Sequence, residues 1–252
     1  MRFHNGFSIV ELMVALLLGS LISIAATQLF LVNRQTENLQ QGLSSVQDQG
    51  RFALDFMSRD FMQAGHDPNG AVQPFVFTGA VDSFSEDNPK YDVIAFQVRD
   101  GFNCLGKDGY SGVKVYYVKD HGLLCSYTAV SGKETSGTII DGVESLQVQY
   151  GIDYDAFGST GYGQADVYTN ATIAKGLIAP PSKKRIVSVR FALLLSSPRV
   201  VSTDTSFQPD TIDVLDKTFT SGTGTNTVDL KDGRLYRVFS STVTIRNQVD
   251  QI

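Results

Sequence analysis

Residues 7–32 read FSIVELMVALLLGSLISIAATQLFLV, and this stretch decides how the chain is organised. Nineteen of its 26 residues are apolar, and only Glu11 carries a formal charge. A helix of that length reaches about 39 Å, more than the roughly 30 Å hydrocarbon core of a bilayer. The core helix of a soluble protein would carry a polar face, and this run has none. A cleaved secretory signal has an apolar region of about 7–15 residues closed by small residues. Here the run is longer and no A-x-A-like site closes it. The stretch reads as a membrane-spanning helix.

Two details set it apart from a plain anchor. The preceding segment, Met1-Arg2-Phe3-His4-Asn5-Gly6, is short, polar and ends in glycine. Glu11 then stands five residues into the apolar run, where a charge costs roughly 2.5–3.5 kcal/mol at mid-membrane. The alternative for Glu11 is a carboxylate that snorkels to the interface. The series Gly6-Phe7-Ser8-Ile9-Val10-Glu11-Leu12 resembles the prepilin cleavage motif of type IV pilins and type II secretion pseudopilins. The resemblance implies that a membrane peptidase cuts between Gly6 and Phe7 and that Phe7 becomes an N-methylated terminus. It also implies that Glu11 pairs with the terminal amine of a neighbouring subunit, which agrees with the rule that buried charges are tolerated when paired.

Beyond Val32 polarity changes abruptly, yet helical spacing continues through Leu39, Leu43, Val46, Ala53, Met57 and Phe61. Gly65 and Pro68 supply a stop. The simplest reading is one helix over residues 7–64, its first half in lipid and its second half laid on a soluble domain. The alternative is two helices broken at Gly42 or Gly50, and Gly19 could loosen the membrane half. After Pro68 two-residue alternation predicts strands over 91–99, 113–118, 123–130, 145–150, 185–196 and 236–246. A hairpin turn is expected at His121-Gly122, with Leu146, Val148 and Tyr150 inward and Gln147 and Gln149 outward. Loops are expected over 78–88, 157–169 and 202–225. The expected class is α+β, a long helix packed on antiparallel sheet. Its parts would be a leader (1–6), an apolar helix half (7–32), an amphipathic half (33–65) and a β-rich domain (66–252).

Several segments of that second half resemble the PilW family of minor type IV pilins. They are Phe52-Ala53-Leu54-Asp55 with Arg59-Asp60-Phe61-Met62-Gln63-Ala64-Gly65, then Gly142-Val143-Glu144-Ser145-Leu146-Gln147-Val148-Gln149-Tyr150-Gly151. Val189-Arg190-Phe191-Ala192-Leu193-Leu194-Leu195-Ser196 and Tyr236-Arg237-Val238-Phe239-Ser240-Ser241-Thr242-Val243-Thr244-Ile245-Arg246-Asn247 complete the set. The resemblance implies a low-abundance subunit that primes pilus assembly and sits in the tip complex. Its partners would be other minor pilins, the major pilin, the prepilin peptidase, the inner-membrane assembly platform and a tip adhesin. It would be a single-pass inner-membrane protein with a periplasmic domain before assembly and part of the fibre afterwards.

Composition weighs against other classes. In 252 residues, 42% are hydrophobic and 19% charged, the balance of a folded protein. Lys and Arg total 21 against 26 Asp and Glu, a net charge of -5, which disfavours a nucleic-acid binder. Cys104 and Cys125 are an even pair, which outside the cytoplasm favours a disulfide; two free buried thiols are the alternative. Asp153-Tyr154-Asp155-Ala156-Phe157-Gly158 resembles the start of a calcium loop. Phe157 takes a ligand position and Gln164 stands where a glutamate belongs, so with Asp166 as substitute this is a weak metal candidate beside a solvated loop. Lys183-Lys184-Arg185 reads as a strand-edge gatekeeper rather than a DNA contact. There is no G-x-S-x-G, nucleotide loop or H-E-x-x-H, so no catalytic residue and no cofactor are expected. The rival readings are a minor pseudopilin of a type II secretion system, a signal-anchored periplasmic enzyme and a subunit of a DNA-uptake pilus.

Overall fold

The computed structural model describes residues 8–69, 73–75, 90–128, 134–178, 182, 184–202, 205–206, 208–222 and 226–247. The expected leader, the Gly6-Phe7 junction and the 78–88 loop lie outside them.

Helix α1 runs unbroken over Ile9–Phe61, 53 residues and about 80 Å. The chain leaves it through a turn at Gly65, whose φ of +74° suits glycine. A Cβ at Gly65 would come within 2.3 Å of the Asn247 carbonyl oxygen. Gly42 and Gly50 do not break the helix. They are where it touches the domain: a Cβ at Gly42 would lie 2.6 Å from a Val201 methyl, and one at Gly50 2.5 Å from the Phe239 ring. Leu39 departs from the expected stripe. It is exposed, because among the described residues the domain meets the helix from Gly42 onward, through Val46, Ala53, Met57 and Phe61.

Ten strands follow. β1 (Ile94–Gly101), β2 (Tyr110–Lys119), β3 (Gly122–Thr128) and β4 (Glu134–Asp141) form an antiparallel meander. The second sheet has the order β10-β7-β5-β6, from Tyr236–Thr244, Arg185–Ser196, Val143–Asp153 and Val167–Thr169. A short helix α2 (Ala171–Ile178) packs on β5 and β7, and β8 (Thr211–Val214) with β9 (Lys217–Thr220) makes a separate hairpin. The class is α+β, with α1 lying along β10 and β7.

Three local expectations change. The β2–β3 turn is Asp120-His121, both left-handed at φ +51° and +60°, while Gly122 pairs with Lys119 as the first residue of β3. Gln147 is buried rather than outward, because the Lys90 backbone covers that face; its Nε2 donates to Ser145 Oγ at 2.9 Å and the Lys90 carbonyl at 3.3 Å. The stretches read as loops hold β6, β8 and β9, and β4 and α2 were not anticipated.

β7 is buried on both faces, which explains its nearly continuous apolar run. Phe191, Leu193 and Leu195 join the main core, while Ala192 and Leu194 pack with Val214, Phe219, Val228, Leu230 and Tyr236 under the β8–β9 hairpin. Phe61, near the end of α1, is the junction of the main core. Its ring meets Phe96 and Tyr116 of the first sheet, each at 5.5 Å, and Phe191 of the second at 5.1 Å, all edge to face. A Cys104–Cys125 disulfide, with Cα atoms 5.8 Å apart, ties the segment after β1 to β3.

Candidate assembly interface

Among the described residues, the first half of α1 is an apolar surface with nothing packed on it. Ile9, Val10, Leu12, Met13, Leu16, Ile22, Leu29 and Phe30 are each more than half exposed. One window of this helix reaches a mean hydropathy of 2.4, long and apolar enough to cross a membrane. Its hydroxyls are satisfied internally: Ser20 donates to the Leu17 carbonyl, Ser23 to Gly19 and Thr27 to Ser23. In hydrocarbon such back-bonding removes the need for water. Ser8, in extended conformation, precedes the helix, and Glu11 is the acidic residue of its first turn. There the carboxylate faces the positive end of the helix dipole.

The helix direction assigns the two poles of the domain. Gly42 lies by Val201, Gly50 by Phe239, Ser58 by Ser241, and Asn247 donates to the Met62 carbonyl at 3.1 Å. The Tyr236 end of β10 is therefore nearest the apolar half, and its far end is distal. β7 and β5 run alongside, so the Arg185 and Asp153 ends share the distal pole.

At that pole the structure brings Asp153, Asp155 and Asp166 together, their nearest oxygens within 4.8 Å of one another. The donor chemistry fits an anchored loop better than a cation. Asp153 is fully buried, not solvated. Its Oδ2 accepts from Arg185 Nη2 at 2.5 Å, Arg185 Nε at 3.0 Å and the Gly163 amide at 2.7 Å, and Oδ1 accepts from the Asp155 amide at 2.8 Å. Asp166 Oδ2 accepts from the Tyr154 amide at 2.7 Å. The Arg185 guanidinium also lies 3.3 Å from the centre of the Tyr162 ring, and Lys184 sits over Tyr154 at 4.4 Å. Lys184 and Arg185 thus serve this loop, and Lys183 lies outside the described residues. Phe157 is fully outward at 81% exposure and is no ligand.

Burial tends to raise the Asp153 carboxyl, but hydrogen bonds from Arg185, Gly163 and Asp155 outweigh it and hold the group below the ordinary carboxylate range. A depressed folded value contributes stability above the unfolded carboxylate pKa and loses it as pH falls through the folded one. Asp153→Asn is expected to lower stability by about 2 kcal/mol at neutral pH. The gap should narrow in acid. Urea unfolding at neutral and acid pH checks this; a pH-independent difference would rule out the linkage.

Two polar clusters were missed by sequence reading. Glu144, 3% exposed, meets His121 Nδ1 at 2.9 Å, Ser196 Oγ at 3.0 Å, Arg234 Nη1 at 3.4 Å and Lys90 Nζ at 3.8 Å. It clamps the β2–β3 turn to the end of the second sheet nearest the apolar half of α1. Asp60, near the end of α1, contacts Lys114 Nζ through Oδ1 and accepts the Tyr116 hydroxyl on Oδ2 at 2.5 Å. Both signals were present. Asp60 falls beside the Met57–Phe61 stripe, and Lys114 shares the parity of Tyr116 and Val118 on β2.

Comparison with known proteins gives the family. The family described as Type IV Pilus-assembly protein W matches residues 113–247, and the prokaryotic N-terminal methylation motif matches residues 1–27. The chain belongs to the PilW family. It is a minor pilin acting in pilus assembly, in a class of structural rather than catalytic subunits. No curated protein sequence matches it. Among solved structures, a type IV-like pilin from Thermus thermophilus shares 14% identity, covering 81% of this chain and 99% of that one at a TM-score of 0.45. A binary complex of two pseudopilins from the type 2 secretion system of Vibrio vulnificus shares 15% identity, with 82% and 99% covered and a TM-score of 0.36.

Proposed function

We propose that this chain primes type IV pilus assembly and sits in the tip complex, contacting other minor pilins, the major pilin and a tip adhesin. The observation that carries the reading is the unbroken helix α1, exposed and apolar with one carboxylate in its first turn, then glued to a large β-domain from Gly42 onward. The domain faces the periplasm, and the helix is held in the inner membrane until the assembly platform extracts it. Prepilin peptidase cuts between Gly6 and Phe7 and methylates Phe7. Glu11 then pairs with the terminal amine of an adjacent subunit. The PilW family match supports a pilus over a secretion system.

Mass spectrometry of the chain recovered from sheared pili tests the first step. Removing six residues from 252 leaves 252 − 6 = 246, beginning with N-methylated Phe7. A chain in pili that retains Met1 would refute processing at this site. Crosslinking mass spectrometry on the same pili tests the tip position, which predicts links to other minor pilins in excess of links to the major pilin.

A further inference from the structure

We propose that Lys114 and Asp60 condense to an intramolecular amide, fastening the assembly helix to the first sheet by a covalent bond. Asp60 is the penultimate residue of α1, while Lys114 and Tyr116 stand on one face of β2. The fold therefore brings an amine and a carboxyl from two elements, 54 residues apart, into direct contact.

The surroundings suit a neutral amine. Lys114 is 0% exposed, the lone lysine in the buried set among the described residues. Among the described residues its Nζ hydrogen-bonds Asp60 Oδ1 and faces the Phe96 ring, 5.3 Å from its centre. An ammonium has three N–H groups to satisfy, and a buried ion carries a large desolvation penalty. Burial accordingly lowers the lysine's pKa, with Asp60 opposing. The other buried ion pairs differ. Lys90, beside Glu144, is about one-third exposed, and Arg185, beside Asp153, has no free lone pair with which to attack.

The bond-making is balanced without any added reagent. One proton passes from Nζ to Oδ1, giving a neutral amine and a neutral acid. The Nζ lone pair attacks Cγ, and negative charge gathers on Oδ2, where the Tyr116 hydroxyl already donates. This is the placement an oxyanion-stabilising donor requires. A second Nζ proton transfers to the Oδ1 hydroxyl, the Cγ–Oδ1 bond breaks, and one water leaves. The third proton stays on the amide nitrogen, and Oδ2 becomes the amide carbonyl. Two buried ions are replaced by one neutral amide. The Phe96 ring lies beside Nζ, and the Lys114 side chain is 0% and the Asp60 side chain 10% exposed, which limits the water that would reverse the step. A pull along α1 would then be borne by a covalent tie to β2, in addition to side-chain packing.

The test is the intact mass of the purified full chain after reduction and alkylation. The expected value is lower by one water than the processed sequence requires. Proteolysis should yield a branched peptide joining the segment around Asp60 to that around Lys114. Lys114→Arg should show the full mass and two linear peptides, and Tyr116→Phe should slow formation by about 100-fold. Full mass in the wild type, with linear peptides containing Asp60 and Lys114, overturns the proposal. So does a loss of water that maps instead to an aspartyl-glycine step such as Asp141-Gly142 or Asp232-Gly233.

Discussion

Phe61→Ala is expected to destabilise the domain by about 3–5 kcal/mol, the range for truncating a buried aromatic. The ring is 1% exposed and touches Phe96, Tyr116 and Phe191 edge to face, so its removal opens a cavity lined by both sheets and the helix. The site has little room to collapse. Its neighbours are held by strand pairing: Phe96 by Lys114, and Phe191 by Val148 and Ser241. Because typical domains are stable by about 5–15 kcal/mol, a loss of this size should be visible as protease sensitivity of the β-domain at growth temperature. Phe52→Ala supplies the contrast. That ring is half exposed, and its removal should change stability by less than about 1 kcal/mol. Denaturant unfolding of the full chain in detergent compares the two. Equal effects would show that Phe61 is not the junction between helix and sheets.

The same residue shows why part of the fold could be read in the sequence. Phe61 belongs to a helical stripe with Ala53 and Met57, and a period of 3.6 is visible without tertiary information. The apolar run around Glu11 was legible for the same reason: membrane length is a one-dimensional property. The Gly42 and Gly50 contacts were not, since a glycine that admits a Phe239 ring is indistinguishable in sequence from one that weakens a helix. Gln147 shows a second limit. Alternation gives the two faces of β5, yet whether the outer face is covered depends on the Lys90 segment, which is remote in sequence. Short elements such as β6 and β8 gain their stability from pairing and carry little pattern of their own. At the distal loop the spacing of Asp153 and Asp155 pointed weakly to a cation, but Arg185 arrives through register 32 residues away and takes the central carboxylate. Charge pairs across strands are tertiary facts.

Glu11→Ala is expected to leave membrane insertion and processing intact while cutting incorporation into pili at least tenfold. The residue stands in the first turn of α1, on a stretch whose neighbours Ile9, Val10, Leu12 and Met13 are all outward and apolar. Alanine removes the desolvation cost of a carboxylate, roughly 2.5–3.5 kcal/mol at mid-membrane, so insertion should not suffer. Under the proposed pairing, what disappears is the counter-charge for a neighbour's methylated terminal amine, which stays basic. Stripping one partner from a pair in low dielectric costs on the order of 3–5 kcal/mol, because the other charge is left buried alone. At about 1.4 kcal/mol per factor of ten, even the lower figure exceeds a tenfold loss of occupancy. Glu11→Gln should behave like alanine, since it keeps shape and hydrogen bonding but not charge. Immunoblots of membranes and of sheared pili, quantified side by side, measure both. If both variants enter pili at wild-type level, Glu11 is an interfacial residue and the pairing mechanism fails for this subunit. The size of the loss also reports position. A subunit with a neighbour ahead of it loses its pairing partner, whereas a leading subunit has none to lose. A small effect together with crosslinks to followers alone would therefore place this chain at the front of the fibre.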